Sequence, residues 1–216
     1  MAVVDTGAGH ENETLTIDVL ANDTDVDGDD NPTNFNLDSV SIGSVAGLST
    51  ATGGSVSIVG NQLVFAPGTD FDELDDGDEA TVVVNYSMSD DSGASSSSSV
   101  ALTVTGTNDT PVANVDAAAA TENGISVSID VLANDADVDQ NENSSTLKVV
   151  AATALSGATV SFSGAAGAGI AYDPDSTSVF ESLALGETTE DTITYTIEDA
   201  HGAQSTSSVT VTVTGS

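Results

Sequence analysis

The chain has 216 residues, with 35 acidic side chains against one lysine or arginine, a formal net charge of −34 at pH 7 and no cysteine. Nucleic acid and anionic membrane surfaces are excluded as direct partners, because binding phosphate groups requires Lys and Arg side chains. Disulfides are excluded too, so small domains in this chain need another means of stabilisation. No apolar run reaches the length of a membrane span, and residues 1–5 carry neither the basic nor the apolar segment of a signal peptide.

So much negative charge destabilises a compact fold unless bound cations or screening salt neutralise part of it. Divalent ions or a saline medium are therefore expected partners. High charge with few aromatic residues is also typical of disordered chains. Here 38% of the residues are hydrophobic and they are ordered into alternating runs, which favours folding.

Alternating apolar positions predict β-strands along most of the chain. In the first half they define seven strands, at residues 3–4, 15–19, 37–42, 56–58, 63–65, 82–88 and 100–104. The second half repeats the series at residues 112–115, 125–129, 147–149, 160–162, 170–172, 193–197 and 209–213. No apolar period of 3.6 residues persists long enough for a helix. We therefore predict an all-β chain of two tandem seven-strand antiparallel sandwiches of immunoglobulin-like type, 1–106 and 112–216, joined end to end by a linker at 107–111.

The two halves are copies of each other. Segment 17–27 recurs 112 residues later as 129–139, with a carboxylate at every second position: Asp23, Asp25 and Asp27, then Asp135, Asp137 and Asp139. A repeat of this length is too long for a solenoid unit and fits tandem domains. Alternate carboxylates repeated once per domain indicate cation binding.

Because successive strands run in opposite directions, successive loops lie at opposite ends of each sandwich, and the odd number of strands makes the chain leave at the end opposite to where it enters. We therefore predict that five segments converge on one junction. From the first sandwich these are the loops after its first and fifth strands, followed by the linker. From the second sandwich they are the loops after its second and sixth strands. The acidic residues and segments brought there are Glu11, 72–79, 107–111, Asp135, Asp137, Asp139 and Asp199. Oxygen ligands in that number suit Ca²⁺ better than Mg²⁺, and neither Cys nor clustered His is available for softer metals.

Interpretations without a specific calcium site compete with this prediction. Aspartates in loops also cap and solvate turns, and the charge run around Asp75 is typical of a solvated face. The run of aspartates that starts at Asp23 matches the first half of an EF-hand calcium-binding loop. Position 12 of that loop would be Asn34 instead of Glu, however, and Gln140 replaces the loop glycine in the second copy. No nucleophile, base and orienting group can be assembled, and neither His10 nor His201 belongs to a repeated motif, so we predict no enzyme.

Several spaced motifs point to a family. Phe71-x-x-Leu-x-x-Gly before Tyr86-x-x-x-Asp-x-x-Gly, ending in Thr-Val-Thr-Gly-Thr-Asn-Asp-Thr-Pro-Val-Ala, recurs in its main anchors in the second half. It resembles the VCBS and bacterial cadherin-like repeats of giant RTX surface adhesins. The linker is similar to the cadherin calcium linker at Asn108, Asp109 and Pro111.

The resemblance implies calcium ligands at specific positions. Glu11 and Glu122 resemble the first-strand glutamate of cadherins, and Asp135-Ala-Asp137 resembles their Asp-x-Asp. Two positions depart from the cadherin pattern. Gly106 occupies the position of the first linker aspartate, and segment 72–79 lacks the cadherin Asp-Arg-Glu motif. The candidates at the junction are Glu11, Glu73, Asp75, Asn108, Asp109, Asp135, Asp137, Asp139 and Asp199, and half-sites without a neighbour are Asp23, Asp25, Asp27, Asp90 and Glu122.

By this resemblance the chain is a calcium-rigidified extender of a bacterial adhesin, spacing a distal ligand-binding region from the cell. The family implies type I secretion from Gram-negative bacteria, an extracellular location at the cell surface, and neighbouring repeats of the same chain as partners of an otherwise monomeric segment. Two alternatives stay open: a repeat that itself binds glycan or a host protein, and an accessory segment of a secreted hydrolase. A glycan site would be poorly equipped, with 4% aromatic residues and no tryptophan.

Overall fold

The computed structural model describes residues 1–27, 30–49 and 52–216. It divides into two compact units, Met1–Asn108 and Asp109–Ser216. Among the described residues, each unit pairs a four-stranded sheet with a three-stranded sheet. The predicted all-β fold of two tandem immunoglobulin or cadherin-like sandwiches is confirmed. No helix in the described part of the chain is long and apolar enough to cross a bilayer.

Unit 1 contains strands β1 to β7. Their bounds are Asp5–His10, Leu15–Ile17, Asn36–Ala46, Ser55–Val59, Gln62–Ala66, Glu79–Ser89 and Ser95–Thr105. The larger sheet has the order β1-β7-β6-β3 and the smaller one β2-β5-β4. A single 3₁₀ turn, Gly68–Asp70, follows β5.

Unit 2 repeats this arrangement with strands β8 to β14. Their bounds are Asp116–Thr121, Val127–Ile129, Lys148–Ala154, Thr159–Phe162, Ile170–Asp173, Thr188–Glu198 and Gln204–Thr214. The sheets have the orders β10-β13-β14-β8 and β11-β12-β9, and the 3₁₀ turn Pro174–Ser176 follows β12.

The first strand of each unit departs from the prediction. It begins at Asp5, directly after the predicted segment 3–4, in unit 1. In unit 2 it begins at Asp116, directly after the predicted segment 112–115, and Val112 forms an isolated bridge with Ala136. Both strands also pair parallel, β1 with β7 and β8 with β14, so the sandwiches are not antiparallel throughout. The inward positions of β1 include Gly7, where an added Cβ would lie 3.0 Å from Ile17 and Leu102. Such small residues leave no apolar alternation to read.

Each unit has its own hydrophobic core between its two sheets. In β6 the alternate residues Val82, Val84, Tyr86 and Met88 are buried, as are Val100, Leu102 and Val104 of β7. In unit 2 the corresponding core residues of β13 and β14 are Ile193, Tyr195, Ile197, Val209, Val211 and Val213. Burying one large apolar side chain contributes about 1.5–3 kcal/mol, so these two central strands hold each sandwich together.

One difference between the two cores is a buried charged side chain in unit 2. Asp191 of β13 is buried where unit 1 has Val82, and Tyr172 of β12 stands where unit 1 has Phe65. The Asp191 Oδ2 atom accepts hydrogen bonds from Tyr172 OH at 2.8 Å and from Ser156 Oγ at 2.5 Å. Its Oδ1 atom accepts from Ser156 N at 3.0 Å. Unit 2 therefore contains a buried polar network that has no counterpart among the described residues of unit 1.

Candidate metal centres

Unit 2 gathers three carboxylates at the loop that follows β9. Oxygen atoms of Asp137, Glu142 and Asp199 all lie within 4.8 Å of one another. The loop between β9 and β10 supplies the first two residues, and the turn between β13 and β14 supplies the third. Glu142 is 8% exposed and Asp199 1% exposed. We call these three residues the second carboxylate cluster.

Backbone amides hold Asp199 in place. Its Oδ1 atom accepts hydrogen bonds from His201 N at 2.8 Å, Gly202 N at 2.5 Å and Ala203 N at 2.9 Å. The turn needs glycine at position 202, because φ there is +94° and side chains rarely adopt that conformation. A repeated Asp-x-x-Gly in the sequence thus encodes an acid fixed by its own turn.

The loop after β9 is organised by its own aspartates. Asp139 N donates to Asp137 Oδ1 at 3.1 Å, and Asp139 Oδ2 accepts from Asp109 N at 2.8 Å. Asp139 is buried. The predicted residues Asp109, Asp137 and Asp139 therefore lie in one hydrogen-bonded region of unit 2.

Unit 1 contains the equivalent grouping. Oxygen atoms of Asp25, Asp30 and Asp90 lie within 4.8 Å of one another, at offsets of 112, 112 and 109 residues from their counterparts. Asp90 Oδ1 accepts from Ala94 N at 2.8 Å within its turn. Asp27 is exposed and its N–H donates to Asp25 Oδ1 at 3.0 Å. This is the first carboxylate cluster.

Sequence reasoning missed one member of each cluster, Asp30 and Glu142. The signal was present, since an acid occurs at both positions 112 residues apart. It was hidden because the residue type changes between copies and because neither residue falls in the alternating Asp-x-Asp pattern.

Asp23 and Asp135 occupy a different place from the rest of their loops. Asp135 Oδ1 accepts from Asn114 N at 2.7 Å and lies 3.3 Å from Tyr195 OH. Asp23 Oδ1 accepts from Val3 N at 2.7 Å and lies 3.4 Å from Tyr86 OH. Burial raises the pKa of both carboxyls above its ordinary value. In the part of the chain that the structure describes, neither belongs to a three-carboxylate cluster.

In each unit a buried glutamate directly follows the first strand: Glu11 after β1 and Glu122 after β8. Glu11 Oε1 accepts from Thr107 N at 2.8 Å and from Thr107 Oγ1 at 2.6 Å. Glu122 Oε1 accepts in the same way from Ser216 N at 3.1 Å. Its Oε2 atom is buried and receives no hydrogen bond from any described residue. A buried carboxylate oxygen without a donor is an unfavourable state that a cation would relieve.

The remaining candidates in unit 1 lie in loops. Both carboxylate oxygens of Glu73 accept from Ser49, one from its N–H and one from its hydroxyl. Asp75 Oδ1 accepts from Asp76 N at 2.7 Å. Asn108 is partly buried. The structure thus gives Glu73 a loop-fixing contact, while Asp75 caps the adjacent turn.

Gly106 explains why the linker lacks the first aspartate of the cadherin pattern. Gly106 N donates to Asp78 O at 2.8 Å, and a Cβ at this position would overlap the carbonyl oxygens of Leu74 and Asp75. No residue with a side chain fits there without moving the backbone. Gly215 makes the equivalent close approach to Ala184.

The donor atoms in both clusters fit a hard divalent cation. They are all carboxylate oxygens, which Ca²⁺ and Mg²⁺ prefer. Carboxylates this close repel one another, and an ion between them would remove that repulsion. Asp137, Glu142 and Asp199 are the residues of unit 2 that would hold it, and Asp25, Asp30 and Asp90 those of unit 1.

Residues 108–215 match the family model of the bacterial cadherin-like domain. The chain belongs to this family. Residues 1–103 match the bacterial Ig domain. Bacterial cadherin-like and Ig domains are extracellular structural or adhesion-type modules and are typically non-catalytic. No curated protein sequence matches this bacterial cadherin-like chain.

Solved cadherin structures resemble the chain in fold. A crystal structure of human CDH23 EC21-23 is 16% identical with a TM-score of 0.50, and covers 99% of this chain and 72% of that one. A crystal structure of human mucin-like protocadherin EC1-2 is 14% identical with a TM-score of 0.49, and covers 100% and 98% of the two chains. The chain spans only 59% of mouse protocadherin-24 EC1-3, at 13% identity, 85% coverage of this chain and a TM-score of 0.40.

Proposed function

We propose that the chain is a calcium-rigidified extender module of a bacterial cell-surface adhesin, which spaces a distal ligand-binding region from the cell. The observation that carries the proposal is the presence of one three-carboxylate cluster, built from equivalent loops, in each of the two units. Membership of the bacterial cadherin-like family supports it, since cadherin-like domains bind calcium in general.

The physical argument is electrostatic. With a net charge of −34, the chain gains stability from any cation that binds only the folded state. An ion present at about a hundred times its dissociation constant stabilises the folded state by about 2.7 kcal/mol. Extracellular calcium would therefore stabilise the folded domains in the way that disulfides stabilise other small extracellular domains.

The loop order predicted from the sequence extends this proposal to a calcium-binding junction between the two sandwiches. In that prediction the residues that share ions at the junction are Glu11, Glu73, Asp75, Asn108, Asp109, Asp135, Asp137, Asp139 and Asp199. The proposal extends to type I secretion, a Gram-negative surface location and neighbouring repeats as partners.

Calorimetric titration of the full chain with Ca²⁺ tests the ion sites. We expect binding to the wild type, weaker binding of Mg²⁺, and a loss of about tenfold or more in affinity at the affected site for Asp137→Asn and Glu142→Gln, because each removes one charged ligand. The exposed residues Asp175 and Glu190 offer matched controls as Asp175→Asn and Glu190→Gln. Equal affinity in ligand and control variants would refute the assignment.

Small-angle scattering with EDTA and with millimolar Ca²⁺ tests the extender role. Calcium is expected to increase the maximum dimension and narrow the distribution of dimensions. Identical profiles under the two conditions would count against rigidification even if calorimetry detects bound ions.

A further inference from the structure

Tyr195 anchors the first residues of unit 2 through its hydroxyl group. The Tyr195 OH group donates to Asn114 O at 2.6 Å and lies 3.0 Å from Asp116 Oδ2. Val131 O and both oxygens of Asp135 lie within 3.4 Å of the same hydroxyl. Tyr195 itself is fully buried in the core, so the hydroxyl is held at a fixed point.

The loop after β9 grips the same segment from its other side. Asn114 N donates to Asp135 Oδ1 at 2.7 Å, and Asn134 Nδ2 donates to Val115 O at 3.0 Å. Two backbone hydrogen bonds, of 2.7 and 3.2 Å, join Val112 to Ala136. The series ends at Asp109, whose N–H donates to Asp139. Residues 109–115 are therefore held along the loop by a series of protein hydrogen bonds.

Unit 1 repeats the central contacts with equivalent residues. Tyr86 OH donates to Val3 O at 2.7 Å, and Val3 N donates to Asp23 Oδ1 at 2.7 Å. Asn22 Nδ2 donates to Val4 O at 3.3 Å. The same tyrosine, aspartate and asparagine thus hold the strand-entry segment in both copies.

We propose that Tyr195, Asp135 and Asn134 form a clamp that positions residues 109–115 against the loop carrying the second carboxylate cluster, in advance of ion binding. Asp135 is then a positioning residue, whereas Asp137, two residues later, is a ligand. The three aspartates of the repeated motif have separate roles, although the sequence spaces them alike. This inference rests on the proposed calcium sites for its effect on affinity, but the clamp itself requires no ion.

The reason for an effect on affinity is preorganisation. An ion that had to order the loop and segment 109–115 as it bound would lose part of its binding free energy to that ordering. Residues behind metal ligands typically change metal affinity by about 10- to 100-fold when they are removed.

The test compares two tyrosine variants of the full chain, in an Asp25→Asn background that silences the first carboxylate cluster. Tyr195→Phe removes the clamp hydroxyl, and Tyr172→Phe removes an equally buried hydroxyl that binds Asp191 instead. We expect Tyr195→Phe to accelerate amide hydrogen exchange at Val112 and Asn114 in EDTA and to weaken Ca²⁺ binding about tenfold. Tyr172→Phe should leave both quantities unchanged while lowering stability. Equal exchange rates in EDTA for the two variants would overturn the clamp.

Aspartate variants separate positioning from ligation. Asp135→Asn keeps an oxygen acceptor for Asn114 N, so Ca²⁺ affinity should stay within about threefold of the wild type, whereas Asp135→Ala should behave like Tyr195→Phe. If Asp135→Asn weakens binding as much as Asp137→Asn, Asp135 is a ligand and the proposal fails. If the wild type binds no Ca²⁺ at all, the proposed function fails, and the exchange measurement in EDTA still decides on the clamp.

Discussion

Gly106 shows how a single residue without a side chain limits which metal ligands the linker can offer. Its backbone lies against the carbonyls of Leu74 and Asp75 and donates to Asp78. The end of β7 and the loop before β6 are thus locked together at a point where cadherins, by the resemblance, carry an acid. The close packing leaves no room for an acidic side chain at this position.

We expect Gly106→Ala to reduce the free energy of unfolding by about 1–3 kcal/mol, because the added methyl group overlaps two carbonyl oxygens. Gly77→Ala is the matched control. It lies in the same region with open space around it and a φ of +84°, so its cost is limited to backbone strain of about 1 kcal/mol. Urea unfolding of both variants checks the difference. A smaller loss for Gly106→Ala than for Gly77→Ala would contradict this account.

The residue scale also marks the limit of the sequence prediction for the site. The sequence predicts the repeated aspartates as calcium ligands, and its pattern assigns the same role to Asp135 and Asp137. Only the three-dimensional contacts separate them, because Asn114 and Tyr195 are distant in sequence from the loop that they contact. Glu142 was missed for a related reason, since its partner Asp199 lies on another turn.

At the level of the strands, the fold was predictable wherever branched apolar residues alternate. β6, β7, β13 and β14 are 11-residue strands with buried alternate positions, and the predicted segments lie inside them. β1 and β8 were misplaced because alanine and glycine carry no hydrophobic pattern. Their pairing with β7 and β14 depends on small residues that fit closely, which no periodicity reports.

The polar network on β12 and β13 gives a prediction about paired substitutions. Asp191→Val should destabilise unit 2 by about 2–3 kcal/mol, since Tyr172 OH and Ser156 lose a buried acceptor. Adding Tyr172→Phe should recover much of the loss, because this pair reproduces Val82 and Phe65 of unit 1. Urea unfolding monitored by amide NMR signals of unit 2 measures both variants. Additive losses in the double variant would show that the two residues do not interact.

At the scale of the whole molecule, the buried carboxyl groups make the free energy of unfolding depend on pH. Burial raises the pKa of Asp5, Asp23, Asp116 and Asp135 above the ordinary value of 3.8. These groups bind protons more tightly in the folded chain than in the unfolded chain. Their contribution to stability is therefore full below their unfolded pKa and is lost as pH rises through their folded pKa.

In EDTA we accordingly expect a larger free energy of unfolding at about pH 4.5, just above the unfolded pKa, than at about pH 8, and repulsion among 35 acidic residues acts in the same direction. Calcium should reduce this difference. Asp116→Asn should also reduce it, because one of the responsible carboxyls is removed. Urea midpoints at the two pH values provide the measurement, and greater stability at the higher pH in EDTA would contradict the prediction.

The contacts on either side of residue 108 determine how the chain can be dissected. Thr107 is bonded to Glu11, whereas Asp109 is bonded to Asp139. A fragment of the second half that starts at β8 would leave the Tyr195 hydroxyl and Asp135 without the backbone groups they bind, although every strand would be present. Domain boundaries drawn at the ends of strands would thus produce a fragment with complete sheets and an impaired loop, and expression of the isolated half should start no later than Asp109.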